Sequence, residues 1–155
     1  MKDAINMVEL VAELAKRPRV RACLVLTHDY RGQKPWAAEL ARQTGAEHLD
    51  LLDQFVQNPD LAARVSTFSV AALFDYLKNY RNSPVLIVSR LEFLKAVWSA
   101  QPQTLPEFIS RVETWHQSPA LLFIIQSDPA LAEIRSTRYP QYTFSVDIRE
   151  TLALT

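Results

Sequence analysis

Residues 22–34 read Ala22-Cys23-Leu24-Val25-Leu26-Thr27-His28-Asp29-Tyr30-Arg31-Gly32-Gln33-Lys34, an apolar run that gives way at once to a polar stretch. The run is too short for a helix and lacks polar alternation, so it predicts a strand buried on both faces, as in a parallel sheet. The polar residues predict a loop over 27–34, after which Pro35 opens a helix over 36–43 that closes near Gly45. Two further runs of the same kind, Val85-Leu86-Ile87-Val88 and Leu121-Leu122-Phe123-Ile124-Ile125, predict two more buried strands. Shorter strands are expected over 47–52 and 142–146.

Helical spacing fills the intervals. A leader helix over 3–17 carries Ile5, Val8, Leu10, Val11, Leu14 and Ala15, with Asp3 as its cap and Pro18 as its stop. A second long helix starts at Ser66 or Ser69 and aligns Val70, Leu73, Phe74 and Leu77. Further helices are expected over 91–98, over 105–115 through Phe108, Ile109 and Val112, and briefly through Leu131 and Ile134. A closing turn covers 148–154. This β-α alternation predicts one domain over 1–155, with a leader helix over 3–17 and an α/β core over 20–148. Its fold class is α/β: a mainly parallel sheet between two helical layers.

The composition narrows the chemistry. The chain has 155 residues and only two glycines, Gly32 and Gly45, where average usage gives roughly eleven. A fully formed glycine-rich nucleotide fingerprint is thereby excluded. Seventeen basic residues balance seventeen acidic ones, so no global basic excess points to nucleic acid. The local group Lys16, Arg17, Arg19 and Arg21 reads as a solvated helix end leading into a strand. Cys23 is the only cysteine and has no partner within the chain. The charged start Lys2-Asp3 does not suit a signal peptide, and no apolar stretch reaches the ~20 residues of a membrane span. A cytoplasmic location is expected.

In an open α/β sheet, ligands bind beyond the carboxyl ends of the strands. A phosphate-binding loop there needs G-x-x-x-x-G-K-[ST], whose backbone amides wrap phosphate while Lys neutralises it and the hydroxyl holds magnesium. Here Thr27 stands at the first glycine, Gly32 at the second, Gln33 at the lysine, and Lys34 one position late. Arg31 and Lys34 still offer positive charge to a phosphate. After the strand at 85–88, where magnesium chemistry wants a carboxylate, the chain has Ser89 and Arg90, with Glu92 half a turn beyond. No catalytic residue and no metal ligand set is expected, and the pattern requires no cofactor while leaving room for ATP or another nucleotide.

The order leader helix, LVLTHDYRGQK, VLIVSRLEFL, LLFIIQSDPAL and YTFSVDI resembles the P-loop NTPases, in particular the AAA-type core, over roughly residues 20–148. That resemblance implies a sensor-like role for Gln126, and makes Arg135 and Arg138 candidates for subunit contact. In size and in its eroded phosphate loop the chain also resembles the BrxF family, the small P-loop-type components of bacterial BREX phage-defence systems. This resemblance implies a non-catalytic or weakly nucleotide-binding accessory that works beside a large ATPase and other defence proteins. It also leaves room for a homo-oligomer and for DNA nearby. A second reading is an ATP-binding subunit of a ring-type ATPase, completed by its neighbour.

Three rivals remain at the level of sequence. Trp98 after the VLIVS strand resembles part of a TIR-like NAD-processing domain, although Gln101 and Pro102 stand where its catalytic Glu belongs. Asp29, Asp50, Asp53 and Asp128 could cluster as a hydrolase metal site, or serve as ordinary caps and turn formers. His28, His48 and His116 lack metal-ligand spacing. A protein-interaction module would draw on Tyr30, Trp36, Trp98, Trp115, Tyr139 and Tyr142, most of them expected in the core or half-buried, with Tyr139 and Tyr142 the expected exposed pair.

Overall fold

The computed structural model describes residues 4–80, 82–133 and 141–154. The chain runs α1 (Met7–Lys16), β1 (Ala22–Thr27), α2 (Tyr30–Thr44), β2 (Glu47–Asp50), α3 (Leu51–Gln57), α4 (Pro59–Ala63) and α5 (Val70–Leu77). It continues through β3 (Val85–Ser89), α6 (Glu92–Trp98), α7 (Thr104–Thr114), β4 (Ala120–Gln126), α8 (Pro129–Ala132) and β5 (Ser145–Asp147). Two 3-10 turns lie at Val65–Thr67 and Ile148–Glu150. Asp3, Ile134, Arg135, Arg138 and Tyr139 lie outside the described residues.

The five strands are ordered β2-β3-β4-β1-β5, and every pairing is parallel. Alternate residues of each central strand feed two separate cores. Leu24 and Leu26 of β1, Leu86 and Val88 of β3, and Leu121, Phe123 and Ile125 of β4 pack under α3 to α8. Cys23 and Val25, Val85 and Ile87, and Leu122 and Ile124 pack under α1 and α2. Both faces are therefore covered, which is why these strands read as unbroken apolar runs. Burial inside β1 pushes the Cys23 thiol up to about 12, so it remains a thiol in the core.

The connections fix where a site can lie. From β1 the chain leaves through α2 onto the face of the smaller core, while from β4 it leaves through α8 onto the opposite face. Thr27 and Gln126 are paired neighbours at the ends of these two strands. The chain thus diverges between them, which opens a crevice at the carboxyl edge of the sheet.

Four local expectations are corrected. Residues 30–34 are the first turns of α2, so the loop after β1 shrinks to His28 and Asp29. Asp29 caps the helix by accepting from the Arg31 N–H at 3.0 Å, and packing of Ala37, Leu40 and Ala41 outweighs the unfavourable Gly32 and Pro35. β2 stops at Asp50 because Asp50 caps α3, with its carboxylate accepting from the Asp53 N–H at 2.9 Å. Arg17 is not part of a solvated face but is buried. Its guanidinium donates to the Val20 and Thr143 carbonyls at 3.1 and 3.0 Å and lies over the Tyr142 ring. Tyr142, expected to be exposed, is accordingly half-buried against the core, whereas Trp98 and Trp115 are core residues, as expected of most of these aromatics, with indoles donating to the Phe68 and Pro119 carbonyls.

Candidate functional site at the carboxyl edge of the sheet

Gln33 is the hub of the crevice. It is wholly buried on α2, a rare place for an uncharged polar side chain unless it is fully hydrogen-bonded. Its Nε2 donates to Glu92 Oε2 at 2.9 Å and to Thr27 Oγ1 at 3.3 Å, while its Oε1 accepts the Arg90 backbone N–H. Glu92 Oε2 also accepts the Gln126 backbone N–H at 2.7 Å. Gln33, with Glu92, thus ties together the ends of β1, β3 and β4.

Arg90 extends the network toward β2. Its backbone adopts φ +54°, a left-handed conformation that costs a non-glycine residue roughly 1 kcal/mol or more. The Gln33 acceptor and two carboxylates hold it there. The guanidinium grips Asp50 through Nε at 2.7 Å and Nη2 at 2.8 Å, and Nη2 also donates to Asp53 at 2.7 Å. Asp50 additionally accepts from Ser89 Oγ at 2.9 Å. Burial works to raise the Asp50 pKa, yet the hydrogen bonds from Arg90, the Asp53 amide and Ser89 hold it below the usual carboxylate range. The same Asp50 carboxylate pushes the Arg90 pKa up. Lys34 ends in an ion pair with Asp53.

These residues occupy the ground a nucleotide phosphate would need. The carboxylate of Asp29 takes the Arg31 N–H, one of the free amides at the start of α2, so a negative group already stands where an anion would dock. A Cβ on Gly32 would lie 3.1 Å from Asp29 Oδ2, which explains glycine at that helical position: it leaves room for the cap. Gln33 brings no charge, and Arg90 and Lys34 are both turned onto acidic partners. The residues present do not fit a bound nucleoside triphosphate with magnesium.

The sequence-predicted residues divide accordingly. Thr27, Gln33, Ser89, Arg90, Glu92 and the backbone of Gln126 converge, joined by Lys34 through Asp53. Arg31 is exposed beside the cap. Asp29, Asp50 and Asp128 are the caps of α2, α3 and α8. Among the described residues no three His, Cys, Asp or Glu side chains are placed to hold a metal, and no helix is long and apolar enough to cross a membrane. Asp53, expected beside Asp50 as a possible metal ligand, instead pairs with Lys34 and Arg90, and His48 was not foreseen as a member of the network. The spacing Asp50-x-x-Asp53, a cap followed by a first-turn acid, carried the signal for Asp53.

His48 on the edge strand completes the set. Its Nε2 lies 2.8 Å from Ser89 Oγ. The Ser89 hydroxyl proton goes to Asp50, so the ring donates from Nε2. Burial pulls the His48 pKa below its ordinary value; Asp50 and Asp53 oppose this, while Lys34 and Arg90 reinforce it. The unfolded chain therefore binds the proton more readily, and stability falls as pH drops through the unfolded value of about 6.5. Melting temperature is expected to fall between about pH 7.5 and 5.5, and less steeply in His48→Gln, which keeps a donor toward Ser89. Equal slopes would remove His48 from the account.

The architecture is that of a P-loop NTPase-like three-layer α/β domain: a five-stranded parallel sheet with its crevice beside β1 and helices on both faces. No family model and no curated protein sequence matches the chain. Its fold is similar to a DNA replication initiation factor, with TM-score 0.45 and 14% identity over 92% of this chain and 44% of that one. It is also similar to domain III of the Thermotoga maritima replication initiation protein DnaA, with TM-score 0.43 and 15% identity over 91% of this chain and 60% of that one. A third similar structure is the replication initiator DnaA bound to AMPPCP and single-stranded DNA, with TM-score 0.42 and 12% identity, covering 96% of this chain and 47% of that one. The chain spans less than two thirds of each of these structures.

Proposed function

We propose that this domain uses a P-loop NTPase-like fold as a non-catalytic scaffold and acts through partner proteins. The observation that carries the reading is the buried Gln33, hydrogen-bonded to Thr27, Glu92 and Arg90 at the place where a phosphate-binding lysine would have to reach a ligand. A chain that fills this ground with its own side chains holds its shape without nucleotide. The sequence resemblance to the BrxF family extends the proposal to an accessory of a bacterial BREX phage-defence system. Its partners would then be the system's proteins, a large ATPase among them, with self-association and nearby DNA as further features. A row of defence genes around the coding sequence supports that extension, and its absence counts against it.

A thermal-shift titration with ATP and ADP, each with and without magnesium, tests the scaffold reading. The melting temperature is expected to stay constant through millimolar nucleotide, since a ligand that does not bind the native state cannot stabilise it. Saturable stabilisation that disappears in Lys34→Ala overturns the reading in favour of a nucleotide-binding subunit completed by a neighbour.

A further inference from the structure

We propose that the cavity between the ends of α5 and α7 is a binding site for a phosphate group, either inorganic phosphate or a small phosphomonoester. Lys78 at the end of α5, Arg111 in the last turn of α7 and His116 just beyond it surround a space of about 140 Å³. The buried Phe74 and Trp115 back it. It opens at the amino edge of the sheet, opposite the Gln33 crevice: the Trp115 carbonyl accepts the Arg21 N–H just before β1, and β4 starts at Ala120. A space of this size takes one phosphate group and leaves the rest of a monoester outside.

Three side chains able to carry positive charge converge there, and among the described residues no carboxylate lines the space. A cation near a helix C-terminus answers the helix dipole, which accounts for each of them singly. It does not account for their convergence on one cavity, where like charges repel until an anion sits between them. Their own acid partners reach them only loosely. Arg111 lies 3.6 Å from Glu107 and Lys78 lies 3.5 Å from Asp75, with both acids exposed. Charge-assisted hydrogen bonds run at about 2.7–2.9 Å, so these are weak surface pairs that a ligand can displace.

The carbonyls past the end of α7, which would otherwise repel an anion, are already taken. His116 Nδ1 donates to the Thr114 carbonyl at 3.2 Å, the Arg21 N–H to Trp115 at 2.7 Å and Arg21 Nε to Gln117 at 3.1 Å. The first of these leaves His116 Nε2 for a ligand. Protonated, it donates to a phosphate oxygen; neutral, it accepts the P–OH proton of a monoprotonated phosphate. Arg111 supplies a planar fork that matches two phosphate oxygens, and Lys78 adds a compact charge from the other helix.

The test follows the backbone amides of His116 and Gln117 by NMR in the full chain at constant ionic strength. The probes are inorganic phosphate and glycerol 3-phosphate, with trimethyl phosphate as a control of similar shape and no charge. Saturable shifts with both anions and none with the control are expected. Tighter binding of inorganic phosphate assigns the site to the ion itself, and tighter binding of glycerol 3-phosphate assigns it to a monoester. Arg111→Gln and Lys78→Gln lie on different helices, and each should weaken the anion at least about fivefold. Arg64→Gln, an exposed arginine on neither helix, should leave the affinity unchanged. No saturable shift at millimolar anion, equal shifts with trimethyl phosphate, or wild-type affinity in both Arg111→Gln and Lys78→Gln overturns the proposal. Equal weakening in Arg64→Gln also overturns it, because the anion would then be answering net charge alone. The outcome is separate from the scaffold reading, since the crevice answers through Lys34 and this cavity through Arg111 and Lys78.

Discussion

Asp50→Ala is expected to lower unfolding stability by about 4 kcal/mol, roughly 8–16 °C in melting temperature for a chain of this size. The substitution removes both halves of the Arg90 bidentate pair, the acceptor for Ser89 and the cap of α3 at one stroke. The cap alone is worth about 1 kcal/mol. The larger part comes from leaving a guanidinium in a largely enclosed place with only Asp53 to answer it. Asp53→Ala provides the contrast: Asp53 is one third exposed, so losing its pairs with Arg90 and Lys34 should cost only about 1 kcal/mol. The Asp50 effect also has a pH signature. Its carboxyl is held below the ordinary value, so the stabilisation is complete above about pH 4 and is lost as pH falls further. Chemical denaturation of wild type and Asp50→Ala at neutral pH and in acid measures both, and the gap between the two proteins should narrow in acid.

Phe108→Ala should cost a similar amount, about 4 kcal/mol, for a different reason. Phe108 is wholly enclosed on α7, with ring centroids of Phe123, Trp98 and Phe74 at 5.2, 5.8 and 5.9 Å. Deleting it opens a cavity walled by rings that cannot all collapse inward, and it also removes one edge-on ring contact, with Phe123, worth about 1 kcal/mol, and two tilted ones, with Trp98 and Phe74. Phe108→Leu fills most of that space and should cost only about 1.5 kcal/mol. Urea unfolding followed by tryptophan emission reads both, with an unchanged denaturant slope if only packing has changed. A loss under 1 kcal/mol in Phe108→Ala would mean that this cluster does not carry the larger core.

The sequence was most legible where one physical pattern acts alone. The apolar runs at 22–26, 85–88 and 121–125 can only be strands covered on both faces, and the structure places them side by side with alternate residues in two cores. Legibility failed where local signals compete with packing. Gly32 argues against a helix and Pro35 reads as a helix's first turn, yet α2 begins at Tyr30 because Asp29 caps it and its apolar face is buried. Arg17 sits in a run of basic residues, and nothing nearby in the chain announces that Thr143, far along it, will accept from its guanidinium. The site was half legible. Gln33 and Arg90 stood out as departures from a phosphate loop and a magnesium carboxylate. Their complementarity was invisible, because the contact joins residues 57 positions apart. What reads along the chain as two separate losses is one hydrogen-bonded closure in space.

That closure is the central claim, and the side-chain amide of Gln33 reports on it directly. In a ¹⁵N-resolved NMR spectrum, the Gln33 Nε2 protons and the Arg90 backbone amide should be well dispersed and protected from solvent. They should keep their positions as ATP with magnesium is raised to millimolar concentration. Saturable movement of both signals, abolished by Lys34→Ala, would show that the crevice opens to a phosphate and would contradict the account.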